Sequence, residues 1–399
     1  MEYYDALETR SADQRQADQT KALLSQVKLA MEAPGSCLVA DGEVRAIADL
    51  PRLPILRKSE LLKWQAEKSG PFGGIHTANV THIFQSPGPI YEPGGASPDW
   101  WRMGRGLFAA GFRNDDIVQN CFSYHLTPAG MMFDSAIRAI GARVLPAGIG
   151  QTELQVRAAH DAEVTAYVGT PDYLKIILDR ADADGVKLQI TKAAVGGGAL
   201  FPSLRQEYAD RGVTCLQGYG TADVGSIAYE SPALEGMIID EGVIVEIVRP
   251  GTGDPVEPGE VGEVIVTSLN PDYPLIRFAT GDMSAILPGI SPCGRTNTRI
   301  KGWMGRADQT TKIKGMFVRP EQVAAFVAKH PEVTRARVIA SRQGESDVMS
   351  VQVEAIGGDA DTYAASVAET LKLRGQIEVV APGSLPNDGL VIEDTRSYD

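Results

Sequence analysis

Thr-Cys-Leu-Gln-Gly-Tyr-Gly-Thr-Ala-Asp, residues 214–223, starts as an apolar run and becomes polar and glycine-rich at Gln217. The stretch reads as a strand ending at Leu216 and opening into a turn. Upstream, strand-like runs at 117–123, 142–146, 164–168 and 192–195 alternate with amphipathic stretches at 100–112, 131–140, 151–159, 173–183 and 204–210. Strands separated by helices of about 10–15 residues imply right-handed crossovers and a mainly parallel sheet. In such a sheet ligands collect where the strands end, which is where residues 217–223 fall.

Three other segments share this chemistry. Lys-Ala-Ala-Val-Gly-Gly-Gly-Ala-Leu (192–200) is a strand running into three glycines, Ile-Arg-Phe-Ala-Thr-Gly-Asp (276–282) ends in a carboxylate, and Gly-Arg-Ala-Asp (305–308) brings a guanidinium. Backbone without Cβ atoms can approach a flat ring or a phosphate closely. Tyr219 offers a stacking face, Asp223 a ligand for magnesium, Asp282 an acceptor for two ribose hydroxyls and Arg306 a phosphate or ribose contact. Each segment taken alone also fits an ordinary turn; together they describe a grip on a phosphorylated nucleoside.

A chain of 399 residues with 43% apolar residues can bury more than one core. The net charge of −13 argues against nucleic-acid and anionic-membrane partners, which are bound through basic patches. No run approaches the ~20 apolar residues of a membrane span, and the acidic start has no apolar signal core, so a cytoplasmic location is expected. Cys37, Cys121, Cys215 and Cys293 are far apart and make no metal-ligand spacing, so reduced thiols are expected.

The pattern divides at about residue 304. Residues 1–304 are expected to form an N-terminal domain that binds the nucleotide and an acyl group. It includes a helical arm at 1–69, which could cover its own sheet or a homodimer partner, and a β-rich part at 226–300. Residues 305–399 return to mixed α and β and are expected to form a small mobile lid, with a helix over 320–329, strands over 335–340 and 348–353, and a helix over 360–371. The expected fold class is therefore α/β: mainly parallel sheets with a small antiparallel β subdomain, plus a small α+β domain.

Taken in order, Gly-Gly-Gly-Ala-Leu-Phe-Pro (196–202), Tyr-Gly-Thr-Ala-Asp (219–223), Gly-Glu-Val-Gly-Glu (259–263), Leu-Ile-Arg-Phe-Ala-Thr-Gly-Asp (275–282), Pro-Cys-Gly-Arg-Thr (292–296) and Gly-Arg-Ala-Asp (305–308) resemble the acyl-adenylate-forming superfamily. Within it they are most similar to the phenylacetate-CoA ligase branch, over about residues 75–390. The resemblance implies that ATP and a small carboxylic acid give acyl-AMP, after which the C-terminal domain rotates at Asp308 and coenzyme A captures the acyl group. It implies adenine or phosphate contacts from Ser86, Gly88, Gly197, Gly198, Ala199 and the run Gln217, Gly218, Tyr219, Gly220 and Thr221. It further implies ribose or phosphate contacts from Asp282 and Arg306, Mg2+ at Asp223, and a coenzyme A face at Gly315. Tyr124, His125, Gly169 and Pro171 would border the acyl pocket, with Asp223, Arg306 and His125 in the catalytic roles; a core tyrosine and a satisfied histidine are the competing account of Tyr124 and His125.

Three segments depart from the family pattern. The phosphate loop, usually rich in Ser, Thr and Gly, reads Phe-Gln-Ser-Pro-Gly-Pro-Ile (84–90), and its two prolines delete two N–H donors. Ala222 and Asp223 stand where a hydroxyl residue and a glutamate are expected. Leu390 follows Gly389 where the family carries a lysine for the α-phosphate. Three readings follow: an acid:CoA ligase, an acyl transferase keeping only the thioester half-reaction, and a non-catalytic nucleotide or acyl-CoA binder.

Overall fold

A computed structural model describes residues 2–33, 43–67, 70–87, 89–198, 200–307, 309, 311–313, 316–343 and 346–396. Two compact units result, and neither is continuous in sequence. The larger takes Met1–Val245, Ile265–Thr280 and Leu287–Trp303; the smaller takes Glu246–Val264, Gly281–Ile286 and Met304–Asp399. No helix among the described residues is long and apolar enough to cross a membrane.

The main sheet of the larger unit runs, in spatial order, Arg299–Ile300, Met237–Ile239, Gly225–Glu230, Thr214–Thr221, Lys192–Val195, Ala166–Gly169, Ile117–Asn120 and Arg143–Pro146. From Thr214–Thr221 to Arg143–Pro146 neighbouring strands are parallel; Gly225–Glu230 and Met237–Ile239 add antiparallel edges. The parallel strands are short and apolar because both faces are covered. Val118, Ala166, Val168, Ala194 and Leu216 pack against Leu107, Phe112, Ala136 and Ile137 on one side. On the other side Tyr167, Ala193, Val195 and Cys215 meet Leu174, Leu178 and Tyr208. The helix Pro171–Ala183 shows the local logic: Thr170 precedes proline at the first turn, and Leu174, Ile177, Leu178 and Ala181 recur on one buried face.

The strand expected to end at Leu216 continues to Thr221. Thr214–Gln217 pair in parallel with Lys192–Val195, and from Gly218 the same strand pairs antiparallel with Gly225–Glu230, with a register shift at Tyr219 and Gly220. Glycine makes this reversal sterically feasible: a Cβ on Gly220 would lie 2.5 Å from the Gly225 carbonyl oxygen. Gly225 itself has φ +85, and a Cβ there would lie 2.5 Å from the Trp101 carbonyl.

The irregular 70–98 region forms a hairpin, Val80–Ser86 with Ile90–Gly95. Phe84 meets Trp101 edge to face at 6.0 Å, and Trp100 meets Trp101 at 5.0 Å. The Trp100 indole donates to Asp272 at 2.9 Å. Gly94 and Gly95 carry no side chain because Trp101 and Trp100 fill that space. After a short 3-10 turn at Ala6–Thr9 the arm forms the helix Ala12–Glu32, whose Leu23 and Val27 pack with Leu50 and Leu53.

In the smaller unit Val333–Gln343 and Ser346–Ala355 are antiparallel, flanked by Ile392–Asp394 and Gln376–Val380 in parallel. Helices Pro320–Ala328 and Ala360–Leu371 cover the sheet through Val323, Phe326, Tyr363 and Val367, packed on Val338, Val351 and Val353. The chain is thus a mixed α/β protein with a large mixed sheet, smaller antiparallel sheets and a C-terminal α/β part.

Candidate active site

A cavity of ≈ 530 Å³ opens in the larger unit at the ends of its parallel strands. One end is apolar: Met103, Leu107, Ala110 and Leu216 surround Phe122 and Phe133, whose rings stack at 4.5 Å. The other end is formed by Gly196, Gly197 and the run Gln217–Ala222, and Ser86 and Pro87 also line the cavity. Gly197 has φ +70, a conformation that favours glycine, whereas a Cβ at Gly218 would meet nothing within 4 Å. Gln217 is held by its N–H to Glu230 at 2.7 Å and by its side-chain amide to the Gly198 carbonyl at 3.2 Å. Tyr219 donates its hydroxyl to Thr280 Oγ1 at 3.1 Å. The Thr221 hydroxyl accepts from the Val224 N–H at 3.1 Å, which closes the turn carrying Ala222 and Asp223.

Asp223 lies in that turn with its side chain 1% exposed. Its Oδ2 is 3.0 Å from Nζ of Lys58, the first residue of the helix Lys58–Glu67, while Oδ1 is buried with no hydrogen-bond partner among the described residues. The Glu92 side chain accepts from the Ser86 N–H at 3.2 Å through Oε2, and its Oε1 is buried, also with no hydrogen-bond partner among the described residues. Burial first, and Asp223 next, push the Glu92 carboxyl up to about 7, against the opposing pull of Ser86 and Lys58. Neither Lys58 nor Glu92 was expected from sequence. Glu92 did leave a signal, since it alternates in phase with the fully buried Ile90, so a charge sits on the inward face of a strand. Lys58 left none, because its partner is 165 residues away.

The residues expected at the acyl pocket are arranged less directly. Phe122, Thr127 and Thr170 face the cavity, with Tyr124, His125, Gly169 and Pro171 set beside them in the chain. The Tyr124 hydroxyl accepts from Asn120 at 2.8 Å and reaches Asp134 at 3.4 Å. His125 is exposed, and its backbone N–H donates to Ser123 Oγ at 3.1 Å. Gly169 leaves room for the Tyr167 hydroxyl, which a Cβ would strike, and the Pro171 carbonyl accepts from Tyr208.

Within the smaller unit Arg306 Nη1 donates to Asp282 Oδ1 at 2.8 Å, and the two residues also form a backbone bridge. Gly281, at φ +72, permits this approach, since a Cβ there would lie 2.6 Å from Arg306 Nη2. Leu390 packs on Val261, Met283, Ala285 and Ala307, an apolar setting that a lysine head group would have to leave. Gln309 holds the segment by donating to the Gly389 carbonyl at 2.8 Å and accepting from the Val391 and Ile392 N–H groups at 2.6 and 2.8 Å. Gly88, Ala199, Asp308, Lys314 and Gly315 lie outside the described residues. Among the described residues no group of three or more His, Cys, Asp or Glu could hold a metal ion by itself, and Cys121, Cys215 and Cys293 are free and buried.

No family model matches the chain. It is 28% identical to the phenylacetate-coenzyme A ligase of Thermus thermophilus over 329 residues, which is 78% of this chain and 73% of that protein. The corresponding protein of Escherichia coli is 29% identical over 382 residues, covering 88% and 84%. Among solved structures, an open conformation of 2-hydroxyisobutyryl-CoA ligase in complex with 2-HIB-AMP and CoA matches with a TM-score of 0.70 over 95% of this chain and 91% of that one, at 20% identity.

Proposed function

We propose, for a chain related to the phenylacetate-CoA ligases and folded as the adenylate-forming CoA ligases are, that it joins a small aryl or short acyl carboxylic acid to coenzyme A at the expense of ATP. The observation that carries this reading is the two-ended cavity. Its stacked Phe122 and Phe133 suit a flat or short apolar acyl group, and its backbone end at Gly196–Gly197 and Gln217–Ala222 suits a nucleotide.

In the reaction a carboxylate oxygen attacks the α-phosphorus and pyrophosphate leaves with the electron pair of the broken P–O bond; the coenzyme A thiolate then attacks the acyl carbon and AMP leaves with the electron pair of the acyl C–O bond. Tyr219, held by Thr280, would present its ring to adenine beside Gly197 and Gly198. Asp282 would take the ribose hydroxyls in place of its present Arg306 contact, freeing Arg306 for ribose or phosphate. Magnesium, which the resemblance implies, would neutralise charge on the phosphates when bound. Asp223 fits it through the buried, unpartnered Oδ1, with Lys58 holding Oδ2. Lys58, with its side chain 44% exposed, adds a cation 3.0 Å from Asp223.

One observation favours a second reading. Leu390 in its apolar cluster supplies no charge to the α-phosphate, so the thioester half-reaction would survive better than adenylation. Purified protein incubated with ATP, magnesium, coenzyme A and a panel of aryl and short-chain acids should release AMP and thioester. Thioester from preformed acyl-AMP with no ATP turnover would instead select the transferase. Nucleotide-induced stabilisation without either product would select a binding protein.

A further inference from the structure

Three buried oxygen atoms, Asp223 Oδ1, Glu92 Oε1 and the Tyr273 hydroxyl, have no hydrogen-bond partner among the described residues. Asp223, Glu92 and Tyr273 are 5%, 1% and 2% exposed. The Tyr273 hydroxyl lies within electrostatic reach of both carboxylates, and the two carboxylates within reach of each other. Desolvated oxygens left without partners cost free energy, so these neighbouring groups suit an occupant that accepts oxygen ligands. Lys58 meets Asp223 from the Oδ2 side at 3.0 Å and leaves Oδ1 to meet another partner.

We propose that Glu92 is a second carboxylate for the nucleotide's divalent cation, acting with Asp223 from beneath the phosphate loop. The inference rests on the nucleotide-binding reading above. Magnesium is held typically by one or two protein carboxylates, the remaining positions being phosphate oxygens and water. Two carboxylates match that requirement. Glu92 also accepts from the Ser86 N–H through Oε2, so an ion at Oε1 would be coupled to the position of the phosphate loop. In a loop where Pro87 and Pro89 supply no N–H donors, the ion takes a larger share of phosphate binding. Tyr273 would complete the site as a hydrogen-bond donor to a water on the ion or to one of its carboxylate ligands.

The test is Mn2+ binding followed by electron paramagnetic resonance in the presence of ATP, with metal-free AMP binding measured by calorimetry on the same preparations. Glu92→Gln should weaken Mn2+–ATP binding at least about tenfold and leave metal-free AMP affinity within about twofold. Glu92→Asp, which keeps the charge with shorter reach, should fall between wild type and Glu92→Gln, and it serves if the amide variant does not fold. Unchanged Mn2+–ATP affinity in either folded variant, with AMP binding retained, overturns the role of Glu92 alone. Failure of the wild-type chain to bind AMP overturns the nucleotide reading and this inference with it.

Discussion

Replacing Lys58 by methionine keeps most of the apolar stem and removes the cation beside Asp223. The ammonium lies 3.0 Å from a carboxylate whose side chain is 1% exposed, while the lysine side chain is 44% exposed. At that separation an effective dielectric of about 20 gives an attraction of about 5 kcal/mol, and the half-exposed lysine is screened and well hydrated before pairing, so about 2 kcal/mol is expected to survive. Lys58→Met should therefore destabilise the larger unit by about 2 kcal/mol. Asp223→Asn, which leaves the lysine free to reach water, should cost about 1 kcal/mol. Because the double variant has no uncompensated buried charge, the two costs should fail to add by about 1.5 kcal/mol. All four tryptophans, Trp64, Trp100, Trp101 and Trp303, belong to the larger unit, so urea unfolding followed by tryptophan fluorescence reads the relevant transition. Costs that add to within about 0.5 kcal/mol would refute the coupling and, with it, the assignment of Lys58 as the counter-charge of Asp223.

The glycine of the reversal should be far less tolerant than an open one. Gly225→Ala, which forces a Cβ against the Trp101 carbonyl at φ +85, should cost more than about 3 kcal/mol, and Gly212→Ala, at φ +77 with nothing within 4 Å, about 1 kcal/mol by the same denaturation assay. The Asp99 carboxyl is pushed up to about 7 by burial and by Asp240, against the Gly104 N–H, Arg102 and Arg105. The folded state therefore keeps a proton that the unfolded chain releases near pH 4, and Asp99 makes stability fall as pH rises from about 4 to 7. Asp99→Asn should flatten that slope in melting temperatures measured across the interval. Leu390→Lys should raise ATP-dependent AMP release by about 10² if the missing cation limits adenylation, while leaving thiolysis of preformed acyl-AMP unchanged. It should also cost the smaller unit about 1–2 kcal/mol, since the leucine leaves its packing on Val261 and Met283.

The elements most legible in the sequence are those whose signal is local. The helix Ala360–Leu371 and the strand Lys192–Val195 have the extents that periodicity predicts, because apolar spacing and flanking breakers lie within a few residues of each end. The helix expected over 100–112 shrinks to Gly104–Ala109, because Trp100 and Trp101 are committed to the hairpin rather than to a helical face. Strand extension past Leu216 was hidden for a related reason. A glycine-rich run looks like a turn until an antiparallel neighbour, Gly225–Glu230, supplies its hydrogen bonds.

By itself the sequence determined the alternating α/β order, the glycine segments that admit close backbone approach, and the absence of a lysine after Gly389, since these depend on residue type and spacing alone. Tertiary structure decided what surrounds them. It brought Lys58 to Asp223 across 165 residues, turned Glu92 inward beneath Ser86, and set Leu390 among Val261, Met283, Ala285 and Ala307. Charge pairing and desolvation depend on distance through space, and strand spacing along a chain carries no record of which side chain the fold will bring opposite.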